Sequence, residues 1–359
     1  MKKSTIAVSL LLAGMLSIPL SSATLTGKFP DTITVLRDIR EQHLYDIHNH
    51  ISLTETTGLY HTYDEMTALL HSLAANHSDI MSLTSIGKTY EDRDLWMVKL
   101  SDNANQEENE PGLLFMGAHH GNEKPGFEVL LYFIVYMLDN YENNTDGIRE
   151  VINTTQIYIL PMVNPDGVEA NTRKNREPNH GPFGLNSKET SIGVDLNRNY
   201  GYRWFFLYVF PRKYLGATDY HDTSDVYRGE RPFSEAETKA IKQFVETHTV
   251  RLAITYHTYG ELVLYSWGYT TIPAKDKPLF VSIGENITHI NNYTLSQSID
   301  LYPTLGDACD WLYGKHGILA YTIELGKNYA PSNPDVLLQM CRVHADVNLY
   351  VCKRAESLK

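Results

Sequence analysis

The sequence predicts a single α/β domain built on a mixed, mostly buried β-sheet flanked by helices. Two patterns predict it. From about Tyr60 onward, stretches with helical spacing of apolar residues alternate with short unbroken apolar runs. Runs of that kind are what strands look like when helices cover both faces of a sheet. No linker-like or repeated stretch interrupts the alternation, so the 359 residues call for one folded unit, and 42% hydrophobic with 21% charged residues is ordinary globular composition.

Taken in order, residues 1–23 carry Lys2-Lys3, an apolar run from about Ile6 to Leu20, and Ser21-Ser22-Ala23. This is the layout of a secretory signal peptide cut after Ala23, and residues 24–57 read as a short leader without strong period. The catalytic domain is expected over 58–356. Tyr63 to Ala75 is helix-like, with Met66, Leu69, Leu70 and Leu73 on one face. Met81 to Ile86 and Leu95 to Leu100 flank a polar turn as a hairpin. Leu113 to Met116 is an apolar run and Phe127 to Met137 a helix-like one. Gln156 to Val163 reads as a strand ending at the turn signal Asn164-Pro165-Asp166-Gly167. A long polar and aromatic region follows to about Asp225, of the kind that usually forms functional loops. Ser234-Glu235-Ala236-Glu237 opens a helix to about His248 with a capping pattern. Arg251 to Tyr256 and Leu262 to Ser266 read as strands, Pro278 to Asn291 as a helix, Leu319 to Leu325 as a strand, and Pro334 to about Arg354 as the last helix.

The formal charge of −12 and the lack of a basic face exclude a general nucleic-acid binder. No stretch after the signal is long and apolar enough to span a bilayer, so no stable membrane partner is expected once it is cleaved. Cys309, Cys341 and Cys352 do not make a disulfide framework, since the last two lie in one helix-like segment about 16 Å apart.

The chemistry starts at Gly117-Ala118-His119-His120-Gly121-Asn122-Glu123, between an apolar run and a helix-like one. An imidazole and a carboxylate three residues apart at such a turn converge on one cation, and nitrogen with oxygen ligands suits zinc. A catalytic zinc usually has three protein ligands and leaves the fourth position to water. His257, at the end of the strand Arg251 to Tyr256, supplies the third beside His120 and Glu123, and Asp195 suits the orienting of an imidazole through its other nitrogen. Each residue also has a plain structural reading, a solvated loop for the His-x-x-Glu pair and a core position for His257. Spacing alone does not separate the two.

The order of further motifs does. His120-Gly121-Asn122-Glu123, Asn164-Pro165-Asp166-Gly167, Arg173-Lys174-Asn175-Arg176, Gly193-Val194-Asp195-Leu196-Asn197-Arg198-Asn199, Tyr256-His257-Thr258-Tyr259, Tyr302 with Asp310, and Thr322-Ile323-Glu324-Leu325 resemble the successive motifs of the zinc metallocarboxypeptidases. The resemblance runs over nearly all of residues 60–353 and is nearest the carboxypeptidase A, B and T branch, because little chain follows Glu324. It implies one Zn²⁺ per chain on His120, Glu123 and His257, and peptide or protein C-termini as substrate. It also implies Glu324 as the base that takes a proton from water, and Arg176 as the donor to the developing oxyanion, with Arg173 a weaker substrate contact. Asn197 and Arg198 would grip the terminal carboxylate, and Tyr302 would close over the bound residue.

The resemblance extends to specificity. Cys309, just before Asp310, is expected at the floor of the side-chain pocket, with Leu301, Thr304, Thr322 and Gly268 as walls. That favours aromatic and large aliphatic C-terminal residues, with secondary activity on Lys and Arg through Asp307. The sequence departs from the A and B branch at Asn122, where Arg is usual. His119 is out of register with the ligand pair and reads as structural, and Asp222 and Asp225 read as a solvated loop in preference to a calcium site. Two other classes remain beside the secreted carboxypeptidase: a related zinc amidase or deacylase acting on cell-wall peptides, and a non-catalytic binding protein on the same scaffold.

Overall fold

The computed structural model describes residues 58–176, 192–208, 217–355 and 357–358, so the signal-peptide and leader readings over 1–57 lie outside it. In chain order the elements are α1 (Tyr63–Asn76), β1 (Met81–Lys88), β2 (Asp94–Leu100), β3 (Gly112–Gly117), α2 (Pro125–Tyr141), α3 (Ile148–Ile152), β4 (Gln156–Leu160) and α4 (Pro165–Ala170). They continue with α5 (Ala236–Thr247), β5 (Val250–His257), β6 (Leu262–Tyr265), α6 (Lys277–Asn291), β7 (Thr294–Gln297), α7 (Ala308–His316), β8 (Leu319–Glu324) and α8 (Pro334–Ala355).

The strands form one eight-stranded mixed sheet in the order β1-β2-β4-β3-β5-β8-β6-β7. Its centre, β4-β3-β5-β8, is parallel, and β1-β2, β2-β4 and β6-β8 pair antiparallel. The central strands β3 and β4 are buried at every position, as their unbroken apolar runs require. After β3 the chain builds outward to β4 on one side and later to β5 on the other. The crevice beyond the carboxyl ends of β3 and β5 is therefore a topological switch point, where open α/β sheets place their ligands.

Local chemistry explains the covering helices. Thr62 caps α1 through a capping box with Glu65, and Met66, Leu69 and Leu70 turn inward. Leu73, expected on the same face, is only half-buried. Helix α2 starts with Pro125 in its first turn. It is apolar nearly all round because it is enclosed between the sheet and α8. Among the described residues no helix is long and apolar enough to cross a membrane, and the three cysteines are free and buried.

Three readings need correction. Asn164-Pro165-Asp166-Gly167 opens a helix, not a bare turn: Asn164 Oδ1 accepts from Gly167 N at 2.9 Å and caps α4. The capping pattern before α5 does not form as such, because its N-cap is Glu235 and Ser234 Oγ is engaged by Asn199 Nδ2 at 2.8 Å. Helix α7 and edge strand β7, neither expected, fill the stretch between α6 and β8. In the loop carrying Asp222 and Asp225 a cation is already present, as Lys174 Nζ donates to the carbonyls of Asp222 and Ser224, each at 3.2 Å.

Candidate metal centre and active site

Three neighbouring parallel strands deliver the site. β3 ends at Gly117, paired with Tyr256 of β5, and His257 at the end of β5 is paired with Glu324 at the end of β8. Between β3 and α2 the chain turns through Ala118 in the left-handed region (φ 52°). That turn is braced from below: Val163 N donates to Gly117 O at 2.9 Å and Asn164 N to Ala118 O at 3.1 Å. Gly121 packs so closely on the start of α4 that a Cβ there would sit 2.0 Å from the Gly167 carbonyl carbon, so only glycine fits directly after His120.

His120, Glu123 and His257 converge, all buried, with donor atoms within 4.8 Å of one another. The two Nδ1 atoms lie 3.2 Å apart. Glu123 Oε1 is 2.8 Å from His120 Nδ1, and Oε2 is 2.9 Å from His257 Nδ1. Zinc binds such ligands at about 2.0–2.2 Å, and in a tetrahedral arrangement the donor atoms then stand roughly 3.3 Å from one another. The donor set therefore fits zinc with little movement. His120 Nε2 lies 3.0 Å from Asp195 Oδ1, the acceptor that orients a ligand histidine through its outer N–H, whereas His257 Nε2 lies 3.2 Å from the amide nitrogen of Asn197. Thr258 N donates to Glu123 Oε2 at 3.1 Å. His119 points the other way, between Tyr200 Oη (2.8 Å) and Thr255 Oγ1 (3.0 Å), and stacks on His257 at 5.5 Å.

The electrostatics divide the carboxylates. Burial pushes Glu123 up, but the imidazoles of His120 and His257 outweigh it and hold the group well below the usual carboxylate range. Asp195 is likewise raised by burial and pulled well below that range by Arg173, His120 and Arg198. Glu324 goes the other way. Burial and the Glu123 charge push it up to about 8, against the pull of Arg173 and Arg198. A buried carboxyl beside a fixed anion and two guanidiniums is the kind of group that trades protons near neutrality.

The two loop arginines have different surroundings. Arg173 donates through Nε and Nη2 to Asp195 Oδ2 at 3.0 and 2.8 Å, and its Nη1 stands 3.5 Å from Glu123 Oε1, at the metal donors. Arg176, expected there, is 37% exposed and pairs with Glu91 of the β1–β2 turn at 3.2 Å. Arg198 is buried, its Nε on the Ala217 carbonyl and its Nη1 on the Asn197 carbonyl at 2.6 Å. Asn197 Oδ1 accepts from Ala308 N at 2.9 Å, so its amide joins the metal centre to the start of α7.

Tyr302 is 39% exposed, and burial of its hydroxyl raises its pKa, with Arg198 pulling against the shift. The phenol therefore stays protonated as a donor. The residues expected at the pocket have partners of their own. Asp307 is the N-cap of α7, with Oδ1 accepting from Asp310 N at 2.8 Å and Oδ2 from Thr304 Oγ1 at 3.0 Å. Cys309 belongs to the hydrophobic core, with Sγ 3.2 Å from Thr322 Oγ1. Gly268 and Thr304 meet, Thr304 N donating to Gly268 O at 3.0 Å, whereas Leu301 is 41% exposed.

This fold and donor set agree with the comparisons. The zinc carboxypeptidase profile matches residues 66–341, and the chain belongs to that family. It is a zinc metallocarboxypeptidase, a hydrolase acting on peptides or proteins. A zinc carboxypeptidase of Saccharothrix mutabilis subsp. capreolus is 33% identical over 313 residues, covering 81% of this chain and 69% of its own. Carboxypeptidase B of Astacus astacus is 27% identical, over 74% of this chain and 86% of its own. Among solved structures, thrombin activatable fibrinolysis inhibitor shares the fold at a TM-score of 0.73 with 20% identity, over 88% of this chain and 80% of that one. Carboxypeptidase A of Helicoverpa armigera does so at 0.71 with 22% identity, over 90% and 81%.

Proposed function

We propose that the chain is exported and removes single residues from free C-termini, with Glu324 as the proton-transferring base. The observation that carries this reading is the buried Glu324, which strand register sets directly beside His257. Zinc, when bound, polarises the scissile carbonyl and makes its water acidic. Glu324 takes the proton of the attacking water and passes it to the leaving amine, and the bond between carbonyl carbon and nitrogen breaks as the new carbon–oxygen bond forms. Arg173, held against Asp195 beside the donors, supplies the fixed positive charge for the carbonyl oxygen as it becomes negative. Arg198 pairs with the terminal carboxylate, a task suited to a planar guanidinium, and the neutral Tyr302 phenol donates to the bound residue. Export rests on the signal-like layout of residues 1–23, and a mature N-terminus at Thr24 would be its direct sign.

Both Asp307 oxygens are occupied by Asp310 N and Thr304 Oγ1. With Asp307 engaged in capping α7, the pocket favours aromatic and large aliphatic side chains. The test is zinc content together with release of the last residue from a blocked dipeptide, then profiling of the residues removed from a peptide library. Zinc-loaded protein that releases no terminal amino acid, or that prefers acidic C-termini, would overturn the assignment.

A further inference from the structure

The reaction above leaves unused a buried acid pair at the start of α5. Glu235 and Glu237 are 4% and 1% exposed. They share one donor group: Asn175 Nδ2 lies 2.9 Å from Glu235 Oε2 and 3.4 Å from Glu237 Oε2. Glu237 Oε1 is buried with no hydrogen-bond partner. Asn175 also forms a two-way pair with Val194. Its N donates to Val194 O at 3.1 Å, and its Oδ1 accepts from Val194 N at 2.8 Å. The approach is so close at Gly193 (φ 87°) that a Cβ would stand 1.8 Å from Asn175 O.

These contacts close a ring. Arg173 is two residues before Asn175, Asp195 follows Val194, and Arg173 and Asp195 are joined through the two guanidinium bonds to Asp195 Oδ2. Asp195 Oδ1 in turn lies 3.0 Å from His120 Nε2. A displacement of the Asn175 amide thus passes to the oxyanion donor and to one metal ligand through two short paths.

We infer that Asn175 and Glu237 are positioning residues, and that a proton retained on Glu237 keeps the Asn175 amide, and with it Arg173 and Asp195, in place. The inference rests on the proposed reaction for its kinetic readout. With Glu237 neutral, the Asn175 amide faces one charge, and Glu235 also has the Ser234 hydroxyl, which donates to its Oε1. With both ionised, two buried charges face each other and an oxygen is left unpaired, which is costly. The groups facing Glu237 are Glu235 on its own helix, Asn175, and at longer range Asp166 of α4 and Tyr200. Asp166 is itself paired with Arg93 at 2.7 Å. Burial and Glu235 push Glu237 up to about 8. For an acid with a raised folded-state pKa, the contact is intact at lower pH and loosens as pH rises through that value.

The test compares the zinc-loaded full chain with Glu237→Gln and, as a second variant, Glu235→Gln, each of which abolishes the charge pair. Two quantities are followed from pH 6.5 to 9.5: kcat and KM on a blocked dipeptide ending in Phe, and zinc affinity by competition with a chromophoric chelator. Alkaline effects from other groups are common to all three proteins, so the ratios to wild type are read. Outer partners of metal ligands typically change affinity or activity 10–100-fold. We expect kcat and zinc affinity of the wild type to fall, relative to the variants, by roughly tenfold between pH 7 and 9, with KM moving little. Parallel profiles of all folded proteins in both readouts would overturn the inference. Zinc affinities that diverge as expected in a protein that releases no amino acid would support the positioning role and defeat the carboxypeptidase reaction instead.

Discussion

Arg173 and Arg176 occupy one tetrapeptide yet have different partners, Asp195 and Glu123 for the first and Glu91 for the second. Those partners were not legible because they are far away in sequence and both arginines match the same motif. The metal donors were legible, since His120 and Glu123 lie within one turn and His257 ends an apolar strand. The two arginines give the sharpest prediction at this scale. Arg173→Ala should lower kcat by about 10²–10³, the usual effect of losing an oxyanion donor, whereas Arg176→Ala should leave kcat within a few-fold. Steady-state kinetics on one substrate decide, and equal losses would return the role to Arg176. Glu324→Gln should retain zinc by elemental analysis while losing about 10²–10⁴ in kcat. Loss of the metal from that variant would mean that Glu324 holds the site together instead of moving protons.

Strands β3, β4, β5 and β8 were readable because each is mostly apolar and nearly all buried, the pattern of a strand covered on both faces. The elements missed lack that signal. β7 is four residues of half-exposed edge, and α7 has an apolar face blurred by Asp310, Gly314 and Lys315. Its ends, however, carried the available cue: Asp307 as N-cap and Gly317 at φ 72° as the left-handed stop. α7 is also the element through which the pocket and the metal centre meet, since Ala308 N binds Asn197 and Asp307 binds Thr304. Asp307→Asn keeps one acceptor for the helix and loses the charge at its N-terminus. We expect a loss of about 1 kcal/mol of stability, seen as a small drop in melting temperature, and an equal fractional loss of kcat/KM on Phe-ending and Arg-ending peptides. A selective loss on Arg-ending peptides would show that Asp307 reads the substrate side chain after all.

Across the whole molecule, buried titratable groups set opposing pH limits on stability. His344 is lowered by burial to about 4; its contribution is complete above the ordinary imidazole pKa of about 6.5 and is lost as pH falls toward 4. Asp195 adds to the loss at still lower pH. On the alkaline side, Glu237 and Glu324 are both raised to about 8, and His61 is raised because Glu128 outweighs its burial. All three contribute stability that is lost as pH rises through their folded-state values. The zinc-free full chain should therefore melt highest at mildly acidic pH and lower at both pH 3.5 and pH 9. A melting temperature that climbed steadily to pH 9 would contradict the balance. The central claim is that the turn after β3 and the end of β5 hold a zinc which, with Arg198 and Glu324, acts only at a free C-terminus. The measurement that tests it most directly is mass spectrometry of one Phe-ending peptide after incubation with the zinc-loaded chain, in free-acid and C-terminally amidated forms. The account predicts stepwise loss of single residues from the free acid and none from the amide. Internal cleavage, or equal rates on both forms, would contradict it.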